Sequence, residues 1–107
     1  MPVDFSAEST GALKYAGTVA RKRGAEVILL HVVDWIHYVH DFGYGHVNRR
    51  RTNDPAVRSA GVRLRALGRR HYGSGQPWAA VVRTGTVCEE ITKVALEMNS
   101  EMIVMPA

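Results

Sequence analysis

The residues best placed for chemistry sit at predicted strand ends. Asp4 follows Met1-Pro2-Val3, read as the end of a first strand. Val32 and Asp34 close the apolar run Val27-Ile28-Leu29-Leu30-His31-Val32-Val33-Asp34, read as a second strand. In a parallel sheet with helical crossovers, ligands bind outside the carboxyl ends of the strands, which is where these residues fall. An aspartate there accepts hydrogen bonds, and a strand edge offers both an amide donor and a carbonyl acceptor.

Other clusters are weaker. His37, His40 and His46 with Asp34 and Asp41 combine imidazole and carboxylate, the ligand types of zinc, yet no cysteine joins them and His-x-x-His alone is unspecific. They are read as loop histidines, and no metal is expected. Gly43-Tyr44-Gly45 lacks a third glycine at Asn48 and precedes no strand-to-helix turn, so it is no phosphate cradle. Arg49, Arg50 and Arg51, with Arg58, Arg65 and Arg69 on a predicted helix, form a basic patch in a chain of net charge +4 and pI near 9.6. Tyr38, Phe42, Tyr44 and Tyr72 lie near enough in sequence to suggest base stacking. No nucleic-acid motif accompanies them, so a solvated basic face is expected and a basic module for polyanions or nucleic acid remains the alternative. Cys88, the single cysteine, excludes an internal disulfide, and Glu89 and Glu90 beside it oppose a thiolate. No nucleophile, base and orienting group can be assembled, so no enzymatic activity is expected.

The elements that position these residues follow from spacing. Ser6 is a predicted N-cap, Glu8 favours the first turn, and Gly24 stops the helix. Ala12, Leu13, Ala16, Val19 and Ala20 form its buried stripe. Val27 to Val33 is apolar without alternation, as in a parallel strand covered on both faces. Residues 35–53 hold no period and read as a long loop. Asp54-Pro55 opens a second helix, with Val57, Ala60, Gly61, Leu64 and Leu67 inward, Arg58, Arg65 and Arg69 on one flank, and Arg63 and Arg70 on another. Trp78 to Val82 is a third strand. Thr86-Val87-Cys88-Glu89 reads as a capping box, and Val87, Ile91, Val94, Ala95 and Met98 recur at helical spacing behind it. Met102 to Met105 reads as a fourth strand, ended by Pro106.

The wording of these segments adds a resemblance. Pro2-Val3-Asp4-Phe5-Ser6, then Ala12-Leu13, Tyr15-Ala16 and Ala20, Gly24-Ala25-Glu26 and Leu29 to Asp34 resemble the opening of a universal stress protein domain of the UspA type. Gly85, Glu89-Glu90-Ile91, Ala95 and Met102-Ile103-Val104-Met105-Pro106 are similar to that family's third helix and fourth strand. The resemblance implies an α/β fold of the doubly wound, adenine nucleotide alpha hydrolase-like type in strand order 3-2-1-4-5, here with about four strands and three helices. In the family's nucleotide-binding branch, Pro2, Val3, Asp4 and Val32 would line the adenosine end of ATP. Asp4 would accept from ribose hydroxyls while backbone near Val32 reads the base.

The family pattern also has several residues ahead of Pro2 and, after the fourth strand, a Gly-x-x-G, nine residues, Gly-Ser/Thr loop, a fourth helix and a fifth strand. Here Met1 precedes Pro2 directly and the sequence ends at Ala107. The expectation is a single domain over 1–107, cut at both ends, without that phosphate loop. It would be a stress-response binding or regulatory module with impaired nucleotide binding, carrying no cofactor in this chain, although an adenine nucleotide remains a possible partner and ATP a cofactor of an intact domain. The alternative is an ATP-binding switch whose phosphate loop lies in missing sequence. Family fifth strands commonly form the dimer seam, so self-association through an unpaired Met102 to Met105 is expected instead. With 46% hydrophobic and 22% charged residues the chain reads as an ordinary globular protein. No run approaches a membrane span and no secretory signal opens it, so a cytoplasmic location is expected.

Overall fold

The computed structural model describes residues 1–34 and 55–106. Within them the fold is α/β, with three helices and a two-stranded parallel sheet. The elements run α1 (Ala7–Arg23), β1 (Val27–Asp34), α2 (Pro55–His71), β2 (Trp78–Gly85) and α3 (Val87–Glu97).

Helix α1 begins and ends as its sequence dictates. The Ser9 amide donates to Ser6 Oγ at 3.1 Å, satisfying one of the free amides of the first turn. Glu8 lies in the first turn and Arg21, Lys22 and Arg23 in the last, each matching the helix dipole. Gly24 closes the helix at φ 63°, a left-handed conformation that costs glycine little. Leu13, Ala16 and Ala20 are buried as expected, joined by Ser9 and Gly17. In α2, Pro55 takes the first helical position, and Ala60, Gly61, Leu64 and Gly68 are buried. Asp54, its expected cap, lies outside the described residues.

β1 and β2 pair in parallel from Val27 opposite Trp78 to Asp34 opposite Gly85. The N-terminal segment lies along the other edge of β1. Leu30 N donates to Met1 O at 2.9 Å and Val3 N to Leu30 O at 2.7 Å, leaving Pro2 in a parallel bridge with Leu30. Gln76 ties the starts of the strands together, its Nε2 donating to Ala25 O at 2.7 Å.

The core collects Val3, Leu13, Ala20, Val27, Leu29, Leu64 and Tyr72, with Leu67 and Trp78 packed against it. Tyr72 is buried and its hydroxyl donates to Leu13 O at 2.6 Å, locking α2 to α1. The stacking role suggested for Tyr72 is therefore wrong, because the ring is core and its polar tip is committed.

Three further expectations are corrected. Met102 to Met105 is not a strand. A strand needs a neighbouring backbone to pair with; Met1 and Val3 pair with β1, and of the residues that alternate away from it Pro2 has no amide proton and Asp4 N donates to Ser9 Oγ. Thr86 occupies the N-cap of α3 but its hydroxyl makes no cap bond. Of the predicted inner face of α3 only Val94 is buried, while Val87 and Met98 are exposed. α3 therefore covers the sheet less completely than its apolar spacing suggests, and β1 is not covered on both faces along its whole length.

Candidate functional site

Backbone alternation makes the carboxyl end of β1 chemically open. Val27 N donates to Pro77 O at 3.0 Å, so Val27, Leu29, His31 and Val33 turn their backbone groups toward β2. Ile28, Leu30, Val32 and Asp34 then face the other edge. The N-terminal segment satisfies Ile28 and Leu30. It leaves before Val32. Val3 O, which could have continued the ladder, is taken by His31 Nδ1 at 2.7 Å. Because a carbonyl only accepts, Nδ1 carries the proton. The amide and carbonyl of Val32 thus face the edge of β1 beyond the point where the N-terminal segment parts from it, and have no partner among the described residues.

Asp4 is one residue beyond Val3, where the N-terminal segment leaves β1. Its Oδ1 accepts from the Ser6 amide at 2.9 Å and the Ser9 hydroxyl at 2.6 Å, while Asp4 N donates to Ser9 Oγ at 3.2 Å. The Ser6 side chain, the Ser9 hydroxyl and the Ser6 amide hold the Asp4 carboxyl at about 2, below its ordinary 3.8. Oδ2 has no partner among the described residues, and Asp4 is exposed. Val3 is buried in the core, Pro2 is half-buried beside Leu30, and Val32 is half-buried.

The link between Asp4 and α1 is built on Phe5, whose φ of 64° is unusual for a residue with a side chain. Its ring lies 4.6 Å from that of His31, centroid to centroid, and the Arg63 guanidinium sits 4.1 Å above it. Together these fix the turn that carries Asp4. Sequence reasoning missed this column because Arg63 is remote in the chain. The Asp4-x-Ser6-x-x-Ser9 spacing was a usable signal for the cap, since Asp and Ser side chains at such intervals bond nearby amides.

The other sequence-based candidates divide. Arg58, Arg65 and Arg69 are exposed on α2, away from Asp4 and Val32 in sequence, and none forms an ion pair among the described residues. Arg49, Arg50, Arg51, His37, His40, His46, Asp41 and the Gly43-Tyr44-Gly45 stretch lie outside the described residues. Cys88 is free and exposed. Among the described residues no group of three or more His, Cys, Asp or Glu could hold a metal ion, and no helix is long and apolar enough to cross a membrane.

With that geometry in place, comparison with known proteins is informative. Among solved structures the chain is similar to hypothetical protein MJ0577, the subject of a structure-based assignment of biochemical function. The two share 26% identity at a TM-score of 0.73, over 97% of this chain and 69% of that one. No curated protein matches. The universal stress protein family model matches residues 1–107, and on that whole-chain match the protein belongs to the universal stress protein family.

Proposed function

We propose that this protein is a stress-response binding or regulatory module whose sheet edge at Asp4 and Val32 takes the adenosine part of an adenine nucleotide and holds the phosphates weakly. One observation carries the reading: Asp4 is an exposed carboxylate with Oδ2 unbonded among the described residues, at the point where the N-terminal segment leaves the Val32 edge of β1, whose backbone has no partner among the described residues. Asp4 Oδ2 accepts from ribose hydroxyls, and the Val32 amide and carbonyl meet the donor and acceptor of an adenine edge. Pro2 and Val3 form the apolar floor.

The weak grip on phosphate has a local cause. A helix N-terminus normally attracts phosphate, but that of α1 already holds Ser6 in its cap and the Asp4 carboxylate beside it. A second anion there meets repulsion. The N-terminal segment, β1 and β2 lie in the order of one half of a doubly wound sheet, and we read them as that half. No catalytic group is assigned.

Calorimetric titration of the 107-residue chain with adenosine, AMP and ATP tests the proposal. All three are expected to bind alike in the millimolar range, worth about 4 kcal/mol. Asp4→Ala should remove the binding while circular dichroism confirms a folded chain. Micromolar ATP affinity would overturn the weak phosphate grip and favour a nucleotide switch. Equal binding of cytidine would overturn adenine reading at Val32.

A further inference from the structure

Helix α2 carries five arginines and no acidic residue. Elsewhere Arg23, Arg83 and Lys93 each meet a glutamate, at 3.4, 2.6 and 3.4 Å. None of the α2 arginines does so among the described residues. Arg63 is distinct among them, because its guanidinium lies 4.1 Å over the Phe5 ring. Stacking uses the face of the guanidinium and leaves its in-plane N–H groups free to donate. Arg70 follows two turns later on the same side of the helix, about 10 Å along the axis. Flexible side chains let the two cations converge on one anion.

Between them lies a recess of about 260 Å³, lined by Phe5, Thr10, Arg63, Ala66, Leu67 and Arg70. Its rim is cationic and its floor apolar. The floor is also preorganised, since Phe5 contacts both Arg63 and His31, and His31 is anchored on Val3 O at 2.7 Å. Thr10 donates its hydroxyl proton to Ser6 O at 3.1 Å, which leaves its oxygen lone pairs toward any further donor. Drug-sized ligands occupy pockets of about 300 Å³ and more, so the occupant is small.

We infer that this recess binds a small organic anion, with a carboxylate or phosphate head between Arg63 and Arg70 and an aromatic or aliphatic body against Phe5, Ala66 and Leu67. The site is separate from the edge at Asp4 and Val32 and does not depend on the nucleotide reading.

The test is a titration of the full chain with phenyl phosphate, benzoate, inorganic phosphate and benzyl alcohol, followed by the backbone amide shifts of Thr10 and Ala66. Phenyl phosphate or benzoate should bind about tenfold more tightly than inorganic phosphate or benzyl alcohol, since head and body are both needed. The tighter of the two identifies the head group. Arg63→Ala and Arg70→Ala should each weaken binding several-fold, whereas Arg58→Ala leaves it unchanged. Arg63→Lys keeps the charge but loses the planar fork, and should be intermediate. Inorganic phosphate binding as tightly as phenyl phosphate, or an equal loss in Arg58→Ala, would mean diffuse charge attraction only and would overturn the site. Absence of saturable shifts for all four compounds would overturn it too.

Discussion

Asp4 Oδ1 gathers the Ser6 amide and the Ser9 hydroxyl, and the same residue offers Oδ2 to a ligand. The first role leaves a signature in acid. The carboxyl titrates at about 2 in the folded protein against 3.8 in an unperturbed chain, so folding favours the ionised form. The resulting stabilisation is complete above about pH 4 and disappears as pH falls from there through about 2. Chemical denaturation at pH 5 and at pH 2.5 should therefore show a loss of stability that Asp4→Asn largely abolishes. An undiminished loss in Asp4→Asn would place the acid sensitivity elsewhere. Much of this was legible in the chain, because Asp4, Ser6 and Ser9 are near neighbours and such caps are local. The His31 and Arg63 contacts with Val3 and Phe5 were not, since nothing in the spacing of residues so far apart records that they meet.

Among the elements, α2 and β2 depend on a close approach at Gly68. A Cβ added there would run into the six-membered ring of Trp78, whose indole N–H donates to Gly73 O at 3.1 Å. Alanine improves helix propensity by up to about 1 kcal/mol, but overpacking against an anchored ring costs about 1–3 kcal/mol. Gly68→Ala is thus expected to destabilise by about 1–2 kcal/mol in urea titration, with Gly11→Ala, where the added methyl meets open space, as the comparison. A stabilised Gly68→Ala would show that Trp78 moves freely. The same scale explains which elements the sequence revealed. α1, β1, α2 and β2 each have a periodic or continuous apolar pattern and a partner to satisfy it. Met102 to Met105 has the pattern without the partner, and a pattern alone makes no ladder. Thr86 has the right residue type for a cap, yet type does not aim a hydroxyl. Tyr72 looked like a loop aromatic because its partner, Leu13, is 59 residues away.

Taken whole, the molecule is unevenly covered. Leu96, Met98, Met102, Ile103 and Met105 are exposed, with Leu96 at 76%, and Met98, Met102 and Val104 help line a cleft of about 290 Å³ beside Met1 and α1. Exposed apolar side chains near one cleft favour association when they form a patch. Light scattering across a concentration series is expected to show reversible self-association of the 107-residue chain. Ile103→Lys, which removes a side chain worth about 1.5–3 kcal/mol on burial, should weaken it about tenfold or more. A monomer at every concentration would refute this. The buried polar links have a kinetic side as well. Tyr72 to Leu13 spans 59 residues, Gln76 to Ala25 spans 51, and His31 to Val3 spans 28. Each closes a long loop before any contact rewards the closure, which slows folding. On the ribosome, α1 and β1 emerge before Tyr72 and Gln76, so the bonds that tie Leu13 and Ala25 to those residues form only once they have been made.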